Sequence, residues 1–116
     1  MILFKHSHIF PILIGLKTQT RRTWEKARVK PGSVHLAKTE MISKQFFARL
    51  RVLEVYQERL GDMTEQDAWE EGGYTLDEYR EIFQRIYGFR DDNRIALTVK
   101  FEIIDKRANK YLVFYR

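Results

Sequence analysis

The sequence predicts an α+β domain in which about six short strands form a bent, barrel-like sheet and three helices are inserted between them. Three observations predict it. Residues 94–104, RIALTVKFEII, alternate apolar Ile95, Leu97, Val99, Phe101 and Ile103 with mostly polar neighbours, the pattern of a strand with one buried and one wet face. Thr64 with Asp67, and Thr75 with Glu78, each place a hydroxyl at a helix N-cap and an acid at N3. In residues 45–57, QFFARLRVLEVYQ, the residues Phe46, Ala48, Leu50 and Val52 share one face before the apolar phase jumps to Leu53 and Val55. That slip predicts a β-bulge bending a long strand.

The remaining elements follow in chain order. MILF at the start reads as a short buried strand, and Ser7 is a plausible N-cap for a helix over residues 8–15, with Pro11 tolerated near the first turn. Ile9, Ile12, Leu13 and Leu16 recur at helical spacing, and Gly15 stops the helix. Residues 17–22, KTQTRR, are polar or charged without a break and are expected as an extended strand or loop with nothing apolar to bury. Pro31 and Gly32 make a turn into a strand carrying Val34 and Leu36. In the helix capped by Thr75, the residues Leu76, Tyr79, Ile82, Phe83 and Ile86 form one apolar stripe, closed by Gly88. DKRAN, residues 105–109, turns the chain into a final strand, KYLVFYR.

A length of 116 residues suits one compact domain covering the whole chain. With 44% hydrophobic and 14% aromatic residues, a disordered chain is excluded. The absence of cysteine excludes disulfides and thiolate metal sites and favours an intracellular compartment. The opening MILFKHSHIFPILIGLK lacks a small-residue cleavage site and is not read as a signal peptide. No stretch approaches a membrane span, so the expected location is the cytoplasm, as a monomer or weak dimer.

Charge is unevenly spread. Residues 1–50 hold ten Lys or Arg against Glu25 and Glu40, a local balance of +8 within a net charge of +5. Residues 62–81 concentrate acids. A basic half is the electrostatic footprint of a protein that meets phosphates, and Lys17, Arg21, Arg22, Lys26, Arg28 and Lys30 are the candidate contacts. Trp24, Trp69 and Tyr74 are candidates for stacking on a base, or else for the core.

Two local rules are broken. Glu70 and Glu71 end a helix before Gly72 and Gly73, where the helix dipole favours cations and pushes a carboxyl pKa upward, toward acid or base use. Lys17 and Thr20 could pair as base and hydroxyl nucleophile, with Arg21 and Arg22 lowering the lysine pKa. Three residues along a strand point to opposite faces, so the pair converges only if the chain kinks after Gly15. The alternative is an exposed polar edge strand that blocks aggregation. His6, His8 and His35 have no metal-ligand spacing, and no metal or cofactor is expected.

ILIGLKTQTRR, VKPGS and MTEQDAWEEGGYTLDEYREIF together resemble the ASCH domain of the PUA-like superfamily, over nearly the whole chain. The resemblance implies a PUA-like five- or six-stranded β-barrel with flanking helices, acting in RNA-related processes. A small branch of that family hydrolyses N4-acetylcytidine through a lysine, a threonine and a glutamate, which by motif fall on Lys17, Thr20 and Glu71. The function so implied is a metal-independent amidohydrolase acting on a modified nucleoside. A non-catalytic RNA-binding module and a ribonuclease using the basic cleft are the alternatives. Gln19 and Arg21 stand where that branch has apolar residues, and extra arginines favour a phosphate-bearing ligand.

Overall fold

Two long strands carry most of the sheet in the computed structural model, which describes residues 1–88 and 91–107. In chain order the elements are β1 (Ile2–Leu3), α1 (Ile9–Leu13), β2 (Gln19–Arg22), β3 (Val34–Lys38), β4 (Ala48–Arg59), α2 (Glu65–Gly72), α3 (Leu76–Tyr87) and β5 (Ile95–Lys106). The strands form one sheet in the order β1-β3-β4-β5-β2, antiparallel except for the β1–β3 pair. The fold is α+β, a curled half-barrel sheet with three helices. The strand expected at residues 110–116 lies outside the described residues.

The curl comes from irregular pairing of β4 with β5. Val52 faces Phe101 and Glu54 faces Lys100, so Leu53 is the extra residue of the bulge, and its side chain is exposed. A second slip separates Arg49 opposite Asp105 from Leu50 opposite Ile103. The concave face holds the core, in which Ile2, Phe4, Ile9, Ile12, Leu13, Phe47, Leu50, Val52, Val99 and Phe101 pack together. β5 departs from the simple alternation because Ala96 and Thr98, read as the wet face, are also buried. Thr98 Oγ1 accepts a hydrogen bond from Arg21 at 2.9 Å, which satisfies the hydroxyl there.

Both capping boxes form at Thr64 and Thr75. The first helix differs from expectation. Ser7 lies in a 3₁₀ turn over His6–His8, and the N-cap of α1 is His8 without a side-chain hydrogen bond. Gly15 ends α1 with φ of 79°, and the Leu16 and Lys17 amides then both donate to the Pro11 carbonyl at 2.9 and 3.0 Å. The apolar stripe of α3 is not sealed into the core, since no residue of α3 is fully buried. It walls a cavity. Among the described residues no helix is long and apolar enough to cross a membrane.

Candidate functional site

Lys17 precedes β2 and so escapes the alternation of a strand. The tether to Pro11, with Thr18 donating to the Glu70 carbonyl at 2.8 Å and accepting from the Phe101 amide at 3.0 Å, turns the chain there. The Lys17 side chain, 4% exposed, runs to the end of α2. Its Nζ donates to the Glu71 backbone carbonyl at 2.9 Å and lies 3.1 Å from Glu71 Oε2. The cation that the C-terminus of an acidic helix lacks in its own sequence is therefore supplied from 54 residues away.

Glu71 is 2% exposed, not a solvated surface acid. Its Oε1 accepts from the Tyr79 hydroxyl at 3.4 Å and lies 3.6 Å from Arg21 Nε. Burial pushes the carboxyl pKa up, against the pull of the Lys17 charge. Burial is thus the leading cause. Burial also pushes the Lys17 ammonium pKa down, opposed by Glu71. Desolvation drives both partners toward their neutral forms, a carboxylic acid beside a free amine, and one proton moved across the contact interconverts the two states.

Thr20 is 5% exposed, and its Oγ1 accepts a hydrogen bond from Arg22 Nε at 3.1 Å, which leaves the hydroxyl proton free to be donated. Arg22 is held in turn by the Leu3 carbonyl, 2.6 Å from Nη2, and by the Phe4 ring, 5.1 Å from the guanidinium carbon.

Lys17, Thr20, Arg22 and Glu71 line a cavity of ≈ 230 Å³. Tyr74, Tyr79, Phe83, Ile86 and Tyr87 line it as well, bringing the α3 stripe to the same space, together with Lys5 and His8. Successive rings lie close along that wall, with Tyr79–Phe83 centroids at 6.3 Å and Phe83–Tyr87 at 4.3 Å. Polar groups that can move protons thus share a space with a flat, largely apolar wall, the make-up of a small-molecule site.

The remaining candidates divide. Arg21 borders the cavity, but its guanidinium is fully enclosed, 2.7 Å from Glu58, 3.4 Å from Asp67 and 2.9 Å from Thr98 Oγ1. The Arg21 charge expected for a phosphate is thus met by acids inside the protein, although its buried Nε makes no hydrogen bond. Lys26, Arg28 and Lys30 are exposed in residues 23–33, away from the cavity lining. Trp24 packs on the core, with the Arg22 and Arg28 guanidinium carbons 5.8 and 5.4 Å from its ring. Trp69 is 54% exposed and outside the cavity, whereas Tyr74 lines it.

Several lining residues, Tyr79, His8 and Lys5 among them, were not anticipated in these roles. Tyr79 was read only as part of an apolar stripe, although a phenol amid Ile and Phe was the available signal. His8, weighed only as a metal ligand, has its pKa lowered to about 4 by burial first and then by Lys17, Lys5 and Arg22. Lys5 stood outside every motif. Among the described residues no group of three or more His, Cys, Asp or Glu is arranged to hold a metal ion.

Three solved structures share this fold. A protein from Enterococcus faecalis V583 assigned to the DUF984 family model superposes with a TM-score of 0.68 and 21% identity, over 90% of this chain and 71% of the other. An ASCH domain from Lactobacillus crispatus JV V101 gives 0.73 and 12%, over 90% and 77%. A point mutant of an ASCH protein from Zymomonas mobilis gives 0.59 and 14%, over 99% and 78%. No family model matches the chain, and no curated protein matches it in sequence. At these identities the likeness is one of fold, and the chain has the fold of ASCH domains.

Proposed function

We propose that the protein is an RNA- or nucleoside-related hydrolase that removes the acyl group from an N-acylated nucleoside of the N4-acetylcytidine kind. The observation that carries this reading is the buried Lys17–Glu71 pair lining one cavity with the Thr20 hydroxyl. Likeness in fold to ASCH domains supports it.

In this reading Lys17, as the free amine, takes the Thr20 proton, and Thr20 Oγ bonds to the amide carbonyl carbon. Arg22 Nε, which donates to Thr20 Oγ1, holds that oxygen in place for the attack. The carbon–nitrogen bond then breaks, and Glu71, as the acid, gives its proton to the leaving amine. Water attacks the Thr20 ester with the Glu71 carboxylate as base. The carboxylic acid departs, and Lys17 returns the proton to Thr20. The sum is an amide plus water giving an amine plus a carboxylic acid.

Incubation with N4-acetylcytidine is expected to release acetate at a rate that EDTA does not change. No acetate in the presence or absence of EDTA would overturn the reading. A second reading, a module that binds RNA, is favoured by exposed Lys26, Arg28 and Lys30, which have no acid at ion-pair distance among the described residues. Such binding weakens steeply with salt, and strand cleavage in the same mixture would redirect the reading to a ribonuclease.

A further inference from the structure

We infer that the cavity takes its substrate as a nucleoside 5′-monophosphate, with the phosphate held at the rim by Lys5, His8 and Arg22. The inference rests on the nucleoside reading for its base and on the rim itself for its phosphate.

The charges around the cavity are unequally met. Arg21 is balanced by Glu58 and Asp67, and Lys17 by Glu71. Lys5 and Arg22 line the same space and have no acid at ion-pair distance among the described residues. Arg22 is partly buried and fixed in place by the Leu3 carbonyl, the Thr20 hydroxyl and the Phe4 ring. A desolvated guanidinium without a counter-ion is costly, and a bound anion relieves that cost.

His8 stands beside these cations and feels them, since Lys17, Lys5 and Arg22 all press its pKa in the same direction as burial. As a neutral imidazole it still has one N–H to give to a phosphate oxygen. Arg22 offers what a phosphate needs from a guanidinium, because its Nη1 has no hydrogen-bond partner among the described residues. The space of ≈ 230 Å³ lies below the roughly 300–1,000 Å³ of sites for drug-sized ligands, so it suits one base against the Phe83 and Tyr87 wall and not a strand of several.

The test is calorimetric titration of the wild type and of Lys5→Ala with cytidine, cytidine 5′-monophosphate and inorganic phosphate. The nucleotide is expected to bind about tenfold tighter than the nucleoside, a gap that narrows with added salt and in Lys5→Ala while cytidine affinity stays unchanged. With the nucleotide bound, the His8 imidazole is expected to titrate above its free value, followed by NMR.

Equal affinity for cytidine and its monophosphate would overturn the inference and leave the nucleoside reading standing. Inorganic phosphate binding as tightly as the nucleotide would overturn the nucleotide assignment in favour of a free anion. Tight nucleotide binding without deacylation of any acylated nucleoside or nucleotide would keep the rim and remove the hydrolase reading. Binding of none of the three removes both.

Discussion

Arg21 and Arg22 are neighbours in the chain and opposites in the fold. Both are shielded from water, but Arg21 is spent on Glu58, Asp67 and Thr98, whereas Arg22 faces a cavity through a hydroxyl and a carbonyl, with no acid paired to it among the described residues. Adjacent positions on β2 alternate sides, so one arginine turns to the acids of α2 and β4 and the other to β1. Residue type says that a charge is present. Only its partners say whether that charge holds the fold together or waits for a ligand.

The sharpest way to break this comparison is to replace each arginine by methionine. Arg21→Met strands Glu58, Asp67 and Glu71 beside an uncharged side chain, and breaking such a buried network is expected to cost about 3–5 kcal/mol in chemical denaturation. Arg22→Met is expected to cost less stability, about 1–2 kcal/mol, but to lower deacylation about a hundredfold. If the two variants lose stability equally and Arg22→Met keeps full activity, the distinction fails.

Tyr79→Phe sits between these effects. It deletes one donor to Glu71 and leaves the ring wall in place, so activity is expected to fall about tenfold with a stability change near 1 kcal/mol. Unchanged kcat would show that the phenol has no part in orienting Glu71.

His8 extends the comparison to pH. Its folded pKa of about 4 lies below the unfolded 6.5, so the unfolded chain binds more protons between those values. The stability that His8 contributes is complete above pH 6.5 and is lost as pH falls through that window. His8→Gln is expected to flatten the loss of stability between pH 6.5 and 4, measured by denaturation at each pH. An unchanged pH profile would mean that neither burial nor the cationic rim lowers the His8 pKa.

The smallest effects belong to the exposed basic link. Replacing Lys26, Arg28 and Lys30 each with alanine is expected to shift stability by no more than about 0.5 kcal/mol and to leave deacylation of a free nucleoside intact. A large loss of nucleoside turnover would extend the site beyond the cavity.

What was legible in the sequence was local. The capping boxes at Thr64 and Thr75, the αL glycine at Gly15 and the bulge at Leu53 are each settled within a few residues, where hydrogen-bond geometry and side-chain period act directly. Ser7 was misread because a 3₁₀ turn intervenes before α1 and shifts the cap to His8. The use of the α3 stripe was not legible for a different reason: periodicity reports that a face is apolar and not what covers it. Glu71 was conspicuous as an acid at the wrong end of a helix, yet its burial and its lysine partner depend on a contact 54 residues distant. The fate of Arg21 was hidden in the same way, since Glu58 and Asp67 come from other elements.

The central claim is that Thr20 is acylated with Lys17 and Glu71 as its proton carriers. Rapid mixing with N4-acetylcytidine, acid quenching within the first turnovers and mass spectrometry of the digested protein test it directly. The wild type is expected to carry an acetyl group on Thr20, accumulating further in Glu71→Gln if that variant can still acylate, and absent from Thr20→Ala, which releases no acetate. Acetate released by Thr20→Ala at the wild-type rate, with no adduct on the wild type, would contradict the account.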